Sequence, residues 1–193
     1  MCVTSVPENE EVAPTPEAAA NGLAAERTRR INRIDAMRAA GVNPYPYRFD
    51  RTHTLGEIRE QHGHLEAGNE TETRVTVAGR ILLKRDQGKL IFCTIRDRAA
   101  DIQLFISKSV VGDTEFDEIN ELDLGDWVGV TGLVMTTRKG ELSIKVENAQ
   151  LLSKAVRPLP DTWHGLTDVD TRYRQRYADL IINEEARRTF EIR

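Results

Sequence analysis

Hydrophobic and polar residues alternate along the middle of the chain with a period of two, which is typical of half-buried β-strands. The alternation begins at Thr73. It predicts strands over 74–82, 90–95, 101–106, 127–135 and 141–152. Between the third and fourth strands, the segment 113–122 predicts a short acidic helix anchored by Phe116 and Ile119. The predicted order is therefore three strands, one helix and two strands.

That order is typical of the OB-fold, a five-stranded barrel, and we expect one over residues 71–153. Glycines inside the predicted strands indicate bulges or sharp bends, as barrel closure requires. They are Gly79, Gly129 and Gly132. The fold class is thus β-rich, with helices before and after the barrel.

Before the barrel, apolar residues recur at helical spacing instead. We expect a helical extension over 21–70, with a first helix from about Asn21 to residue 40. Thr54 and Glu57 form a capping box for a second, shorter helix. Residues 1–20 carry no periodic apolar face, and their Pro, Glu, Ala and Thr content predicts a disordered acidic tail.

After the barrel, residues 154–193 predict a proline-containing linker followed by helical segments with a break near Asn183. Tyr173, Tyr177, Leu180 and Ile181 form an apolar stripe there. Phe190 and Ile192 have no evident partners in the chain. We expect this region to lead into a further domain that the sequence truncates.

Composition excludes several classes of protein. The chain has 193 residues, 39% of them hydrophobic, and a formal net charge of −4. It has neither a stretch of about 20 apolar residues nor a signal peptide, so we expect no membrane segment and a cytoplasmic location. The net charge conceals a basic segment, because residues 71–109 hold eight bases against four acids.

Catalytic motifs are absent from the sequence, including the phosphate-binding P-loop, the dinucleotide-binding glycine motif and the nucleophile elbow. His62 and His64 could ligate a metal, but without a third ligand they are better explained as solvated residues at a helix end. Cys93 lies within an apolar strand and predicts a core position. We therefore assign no catalytic residue and no metal site.

The basic segment surrounds an aromatic residue. If Ile91, Cys93 and Ile95 face the core, Phe92 faces outward, where a nucleic-acid base could stack on it. An ordinary packed phenylalanine is the alternative. Gln103, in the third strand, could bind a base edge or be a solvated strand residue. Glu141 could accept from base amino groups or be an ordinary turn acid.

Three stretches of the sequence resemble class II lysyl-tRNA synthetases. They are GRILLKRDQGKLIFCTIRDRAADIQLF, LDLGDWVGVTGLVMTTRKGELSIKV and LLSKAVRPLPDTWHGLTDVDTRYRQRYADLI. The similarity spans about residues 27–193 and corresponds to the N-terminal, anticodon-binding part of that family. The barrel segments also suit the aspartyl and asparaginyl enzymes, whereas the RPLP, WHGL and RYRQRY elements indicate the lysyl enzyme.

The resemblance implies specific roles. Phe92 corresponds to the aromatic residue that stacks on the central anticodon base. Arg85 and Gln103 correspond to residues that help to read that base. Glu141 corresponds to a residue that contacts a neighbouring anticodon base. Arg80 is a further candidate on the basic strands. The N-terminal basic helix resembles an element that adds tRNA affinity, with Arg29, Arg30 and Arg33 as its candidate contacts.

The family's three catalytic motifs are absent from these 193 residues. We therefore expect this piece to bind no cofactor and to be inactive alone, whereas the full-length enzyme would use ATP and Mg²⁺ and form a homodimer. Its partner would be the anticodon stem-loop of tRNA(Lys). One alternative is a stand-alone module that binds tRNA or single-stranded nucleic acid. Another is the ligase part of a membrane-anchored lysine-transferring fusion, which the initiator Met disfavours.

Overall fold

The structure is a computed structural model, and it describes residues 16–159, 166 and 168–193. Most of the predicted tail and most of the WHGL element lie outside these residues. The described helices before the barrel are α1 (Pro16–Ala39) and α2 (Leu55–His62). Helix α1 begins five residues earlier than the predicted start at Asn21, so residues 16–20 belong to a helix rather than to the tail. Proline is well tolerated in the first turn, and the alanines that follow have the highest helix propensity.

Five strands form a closed barrel in the order β1-β2-β3-β5-β4. They are β1 (Glu70–Asp86), β2 (Leu90–Arg96), β3 (Asp101–Ser107), β4 (Trp127–Thr136) and β5 (Leu142–Ser153). Only β3 and β5 pair in parallel. Helices α3 (Lys108–Val111) and α4 (Asp113–Asn120) connect β3 to β4. The predicted order of strands and the predicted helix over 113–122 are confirmed, whereas α3 was not predicted.

Strand β1 is long enough to pair with two neighbours. Its first half pairs with β4 and its second half with β2. The register with β2 shifts between Ile81 and Leu83, a bulge that bends the strand from one side of the barrel to the other. Ile81 remains buried, whereas the Leu83 side chain is 41% exposed.

Glycine at position 132 is required by a close approach between strands. A Cβ there would lie 2.1 Å from the carbonyl oxygen of Lys145, and the β4–β5 register shifts at this point. Of the predicted alternatives, a bulge or a sharp bend, the structure has a bulge at Gly132. At Gly129 the cause differs, because a Cβ would lie 2.4 Å from the ring of Phe49, which packs on β4.

The core fills the barrel and extends under its end helices. Ile91, Ile95 and Ile144 are fully buried within it, and Leu55 and Ile58 join it from α2. The capping box of Thr54 and Glu57 is present. Phe116 and Ile119 anchor α4 in the same core, as predicted.

The C-terminal region forms three short helices, α5 (Val169–Arg174), α6 (Arg176–Ile182) and α7 (Glu184–Ile192). The predicted break at Asn183 is present, and the Asn183 side chain caps α7. The predicted apolar stripe is wrong at Tyr173 and Tyr177, which are 70% and 59% exposed. The buried residues of these helices are instead Ala178, Asp179 and Ala186. Asp179 can be buried because Arg172 and Arg176 satisfy its carboxylate.

Candidate nucleic-acid interface

The alternation in β2 separates a core face from an outer face. Ile91, Cys93 and Ile95 are buried, while Phe92 between them is partly exposed on the outside of the barrel. The predicted orientation of Phe92 is thus observed. Burial raises the pKa of Cys93 to about 12, so this thiol is a protonated core side chain, as predicted.

Strand β3 repeats this alternation. Ile102, Leu104 and Ile106 are buried, which directs Gln103 and Phe105 outward. Phe105 lies opposite Phe92 across the β2–β3 pair, with ring centroids 5.5 Å apart and ring planes at 72°. This is the edge-to-face geometry that aromatic pairs favour. Two strands therefore hold one aromatic pair on the outer surface.

Arg85 supplies a cation beside this pair. It lies opposite Phe92 in the β1–β2 register, and its side chain is exposed. Among the described residues it takes part in none of the ion pairs. Its guanidinium is therefore available to a phosphate or a base next to Phe92.

Gln103 is oriented by a hydrogen-bond relay. Its Nε2 donates to Ser143 Oγ at 3.0 Å, and that hydroxyl donates to the carbonyl oxygen of Glu141 at 3.0 Å. Ser143 is fully buried. The relay occupies one N–H of the Gln103 amide and leaves its Oε1 and second N–H for a ligand. It also places Glu141 next to Gln103.

The Glu141 carboxylate is exposed, with Arg59 of α2 nearby. Arg59 Nη2 lies 3.8 Å from Glu141 Oε1, and Arg59 Nε donates to the Asp101 carbonyl oxygen at 2.5 Å. Arg59 thereby joins the β4–β5 turn to the start of β3. An exposed pair at 3.8 Å contributes little stability, so the carboxylate can exchange this partner for another donor.

We call the surface formed by Arg85, Phe92, Gln103, Phe105 and Glu141 the outer face. It combines an aromatic pair, a cation, an oriented amide and a carboxylate. Single-stranded nucleic acid is bound by this combination: bases stack on aromatic rings, cations contact phosphates, and amides or carboxylates bind base edges.

Arg80, the further candidate on the basic strands, lies away from the outer face. It lies opposite Arg96, four residues of β2 or about 13 Å from the position of Phe92. Its Nη1 donates to the Gly125 carbonyl oxygen at 2.9 Å, and its guanidinium stacks over Trp127. Burial lowers its pKa. The structure thus gives Arg80 a packing role at the barrel end.

The three arginines of α1 that were predicted as auxiliary tRNA contacts are all engaged within the protein. Arg29 pairs with Glu26 and Asp123, and Arg33 pairs with Glu121. Arg30 is only 4% exposed. Its guanidinium donates to Glu26 and to the carbonyl oxygens of Leu124 and Ala155. These contacts attach α1 to the barrel and leave little of the Arg30 side chain exposed.

A buried ion cluster completes this attachment. Lys154 is 3% exposed, and its ammonium group binds the carboxylates of both Asp123 and Asp126. Asp126 is fully buried, and its Oδ2 lies 2.5 Å from Lys154 Nζ. Burial raises the pKa of Asp123, but hydrogen bonds from Lys154 and Arg29 outweigh that effect and hold it below its usual range. The cluster joins α1, the α4–β4 loop and the chain after β5.

Phe105, Ser143 and Arg59 were not singled out from the sequence. The alternation that directs Phe92 outward applies equally to Phe105, so the outward orientation of Phe105 could have been predicted from the sequence. The roles of Ser143 and Arg59 depend on the parallel β3–β5 pairing and on the docking of α2, neither of which has a local sequence signal.

Among the described residues, no group of three or more His, Cys, Asp or Glu side chains is arranged to hold a metal ion. Within the same part of the chain, none of the helices has the length and hydrophobicity needed to cross a membrane.

Comparisons with known proteins identify the barrel. Residues 75–152 match the family model of the OB-fold nucleic acid binding domain. The chain is 45% identical over 172 residues to the lysine–tRNA ligase of Thermosynechococcus vestitus, covering 86% of this chain and 34% of that protein. For the lysine–tRNA ligase of Enterococcus faecalis the identity is 46% over 159 residues, covering 81% of this chain and 32% of the relative.

The predicted OB-fold and the resemblance to lysyl-tRNA synthetases are thus confirmed. The chain spans about a third of the length of the curated relatives it matches. This similarity, which extends well beyond the barrel on both sides, favours relation to a ligase over a stand-alone binding module.

Proposed function

We propose that this chain, which carries the OB-fold nucleic acid binding domain of the lysine–tRNA ligase family, recognises the anticodon of tRNA(Lys) on its outer face. The observation that carries the proposal is the pairing of Phe92 and Phe105 beside the oriented amide of Gln103. A splayed anticodon base stacks on the aromatic pair, and the same base meets the amide with its edge.

The chemistry of Gln103 selects among bases. Because Nε2 already donates one hydrogen to Ser143, the amide presents an acceptor, Oε1, next to its remaining N–H donor. A base with an N–H beside a carbonyl oxygen satisfies both at once. Uracil presents that edge, and uridine is the central base of every anticodon that pairs with the lysine codons AAA and AAG. Cytosine has an unprotonated ring nitrogen, N3, where uracil has an N–H.

Arg85 and Glu141 act on either side of this base. The Arg85 guanidinium, opposite Phe92, neutralises a phosphate of the bound loop. The Glu141 carboxylate accepts a hydrogen bond from a neighbouring base once Arg59 moves aside.

For the whole protein we propose attachment of lysine to tRNA(Lys), with ATP and Mg²⁺ as in aminoacyl-tRNA synthetases, in a cytoplasmic homodimer. Among the described residues, no group of three or more His, Cys, Asp or Glu side chains is arranged to hold Mg²⁺. We therefore derive no catalytic step from these residues, and this chain's part is to bind and orient the tRNA.

The experiment that tests the proposed function is a binding titration of the 193-residue chain with two RNA stem-loops. One carries the tRNA(Lys) anticodon, and the other differs only by cytidine at the central anticodon position. We expect weaker binding of the cytidine RNA by roughly 1–3 kcal/mol, the usual cost of one mismatched base contact. Equal affinities would refute anticodon recognition by this face.

A further inference from the structure

A second basic feature lies beside the outer face. Five arginines from three separate segments line a cleft of about 580 Å³ between the β2–β3 turn and α7. They are Arg59 of α2, Arg96 and Arg98 at the end of β2 and in the turn, and Arg187 and Arg188 of α7. We call it the arginine cleft.

Two of these arginines are engaged within the protein, Arg59 with the Asp101 carbonyl oxygen and the Glu141 carboxylate, and Arg96 with Asp101 and Ile181. Arg96 binds the Asp101 carboxylate with two of its nitrogens and donates through Nη1 to the Ile181 carbonyl oxygen at 3.2 Å. The last of these bonds fastens the C-terminal helices to the barrel. The Asp101 hydrogen bond raises the pKa of Arg96 and keeps it charged.

The other arginines of the cleft keep an uncompensated charge. Arg98 and Arg188 are exposed, and within the described part of the chain neither takes part in an ion pair. Arg187 donates to the carbonyl oxygens of Leu180 and Ile181, at 3.3 and 3.0 Å. Carbonyl acceptors are neutral, so its positive charge is also not cancelled.

Four carboxylates share the cleft, but half of them are already engaged. Asp97 accepts from three backbone N–H groups, those of Leu55, Ala99 and Ala100. Asp101 is occupied by Arg96. Glu184 and Glu191, both exposed on α7, remain against Arg98, Arg187 and Arg188. Backbone N–H groups are neutral, so the negative charge of Asp97 is not cancelled either; over all the lining residues, five arginines face four carboxylates, which leaves one positive charge in excess.

The lining residues also indicate what kind of ligand fits. No aromatic ring is among those lining the cleft, so it offers nothing on which a base could stack. Guanidinium groups present paired donors that match phosphate oxygens. The cleft begins at Arg96, only two residues beyond Thr94, and Thr94 lies opposite Gln103 on the outer face. The two surfaces are thus continuous along β2.

We propose that the arginine cleft binds backbone phosphates of the same RNA whose loop lies on the outer face, with Arg98 and Arg188 as the principal contacts. This inference rests on the proposed function, because it assumes an RNA seated on β2 and β3. It assigns a separate task to each surface: the outer face discriminates bases, and the cleft supplies affinity that does not depend on sequence.

The test is the salt dependence of stem-loop binding by the full 193-residue chain. Arg98→Gln and Arg188→Gln are compared with Arg48→Gln, which removes one exposed charge whose ion-pair partner among the described residues is Asp50. Each cleft variant should bind the cognate and cytidine RNAs more weakly by the same factor. Each should also lower the slope of log affinity against log salt by about one. The affinity lost between about 50 and 200 mM salt then becomes roughly threefold smaller.

The outcomes separate the two proposals. Slopes unchanged in both cleft variants, or changed equally by Arg48→Gln, would overturn the cleft proposal even if the wild type still discriminates the cytidine RNA. Reduced slopes without any wild-type discrimination would support a phosphate site while refuting anticodon recognition. Arg98→Lys, which keeps the charge, should restore the slope; failure to do so would contradict a role through charge.

Discussion

Phe105 meets Phe92 edge to face across the β2–β3 pair, with their ring centroids 5.5 Å apart. The contact joins two side chains that each alternate with buried residues, so the barrel core fixes the two strands that carry the rings. Phe105 therefore restricts the Phe92 ring before any ligand arrives, which reduces the entropy lost when a base stacks.

Replacing Phe105 with leucine should weaken RNA binding without abolishing it. Leucine keeps apolar volume against the strand but removes the aromatic edge, and we expect a loss of about 0.5–1.5 kcal/mol in binding free energy. A double-mutant cycle with Phe92→Leu, measured by titration with the cognate stem-loop, isolates the coupling. Strict additivity of the two losses would contradict the positioning role of Phe105.

The relay through Ser143 predicts an effect on base discrimination. Ser143 is fully buried, so it does not touch RNA, and Ser143→Ala should act only by releasing the Gln103 amide. We expect discrimination between the cognate and cytidine stem-loops to fall while the salt dependence of binding stays the same. Ser109→Ala, which removes an exposed hydroxyl paired only with Ser107, is the matched control. Full discrimination in Ser143→Ala would refute the relay.

Removing the cation at Lys154 should destabilise the fold far more than removing the cation at Arg48. Lys154→Met leaves the buried carboxylate of Asp126 without its counter-ion and Asp123 with Arg29 but without Lys154, which should cost about 3–5 kcal/mol in the free energy of unfolding. Arg48→Met breaks an exposed pair with Asp50 and should change little. Urea denaturation of both variants measures the difference. Equal stabilities would show that the cluster does not hold α1 and the linker to the barrel.

Acid should weaken the attachment of α1. Hydrogen bonds from Arg29 and Arg30 lower the pKa of Glu26 from 4.5 to about 2. A carboxylate whose pKa is lower in the folded state stabilises the fold fully above its unfolded pKa. That contribution is lost as the pH falls from about 4.5 towards 2. Thermal unfolding of wild type and Glu26→Gln should therefore differ at pH 6 and converge near pH 2. A difference that is constant with pH would contradict this linkage.

Sequence patterning predicted the barrel because each strand carries its own alternation, and the same alternation fixed the outward orientation of Phe92 and Gln103. The ion-pair partners of the α1 arginines could not be predicted from such a local pattern. Arg29 and Arg33 are surface residues by helical position, yet their partners Asp123 and Glu121 lie about ninety residues later. Only the docking of α1 against the α4–β4 loop reveals those pairs.

Arg80 illustrates a related limit. Arg80 is only five residues from Arg85 in the sequence, but a β-strand extends by about 3.3 Å per residue. The two side chains therefore lie on different surfaces. A basic segment in sequence therefore became two sites in space, one beside Phe92 and one at Trp127. Arg59 and Glu141 are the opposite case: they are far apart in the sequence, but the docking of α2 brings them together.

The central claim is that a base stacks on Phe92, and Phe92→Ala tests it most directly. The variant and the wild type are titrated with the cognate anticodon stem-loop at one salt concentration, after circular dichroism confirms that both are folded. We expect the variant to bind more weakly by roughly 1–3 kcal/mol, the contribution of one base stack, with an unchanged salt slope. An unaltered affinity in the folded variant would contradict stacking on Phe92, and with it the assignment of the outer face as the anticodon site.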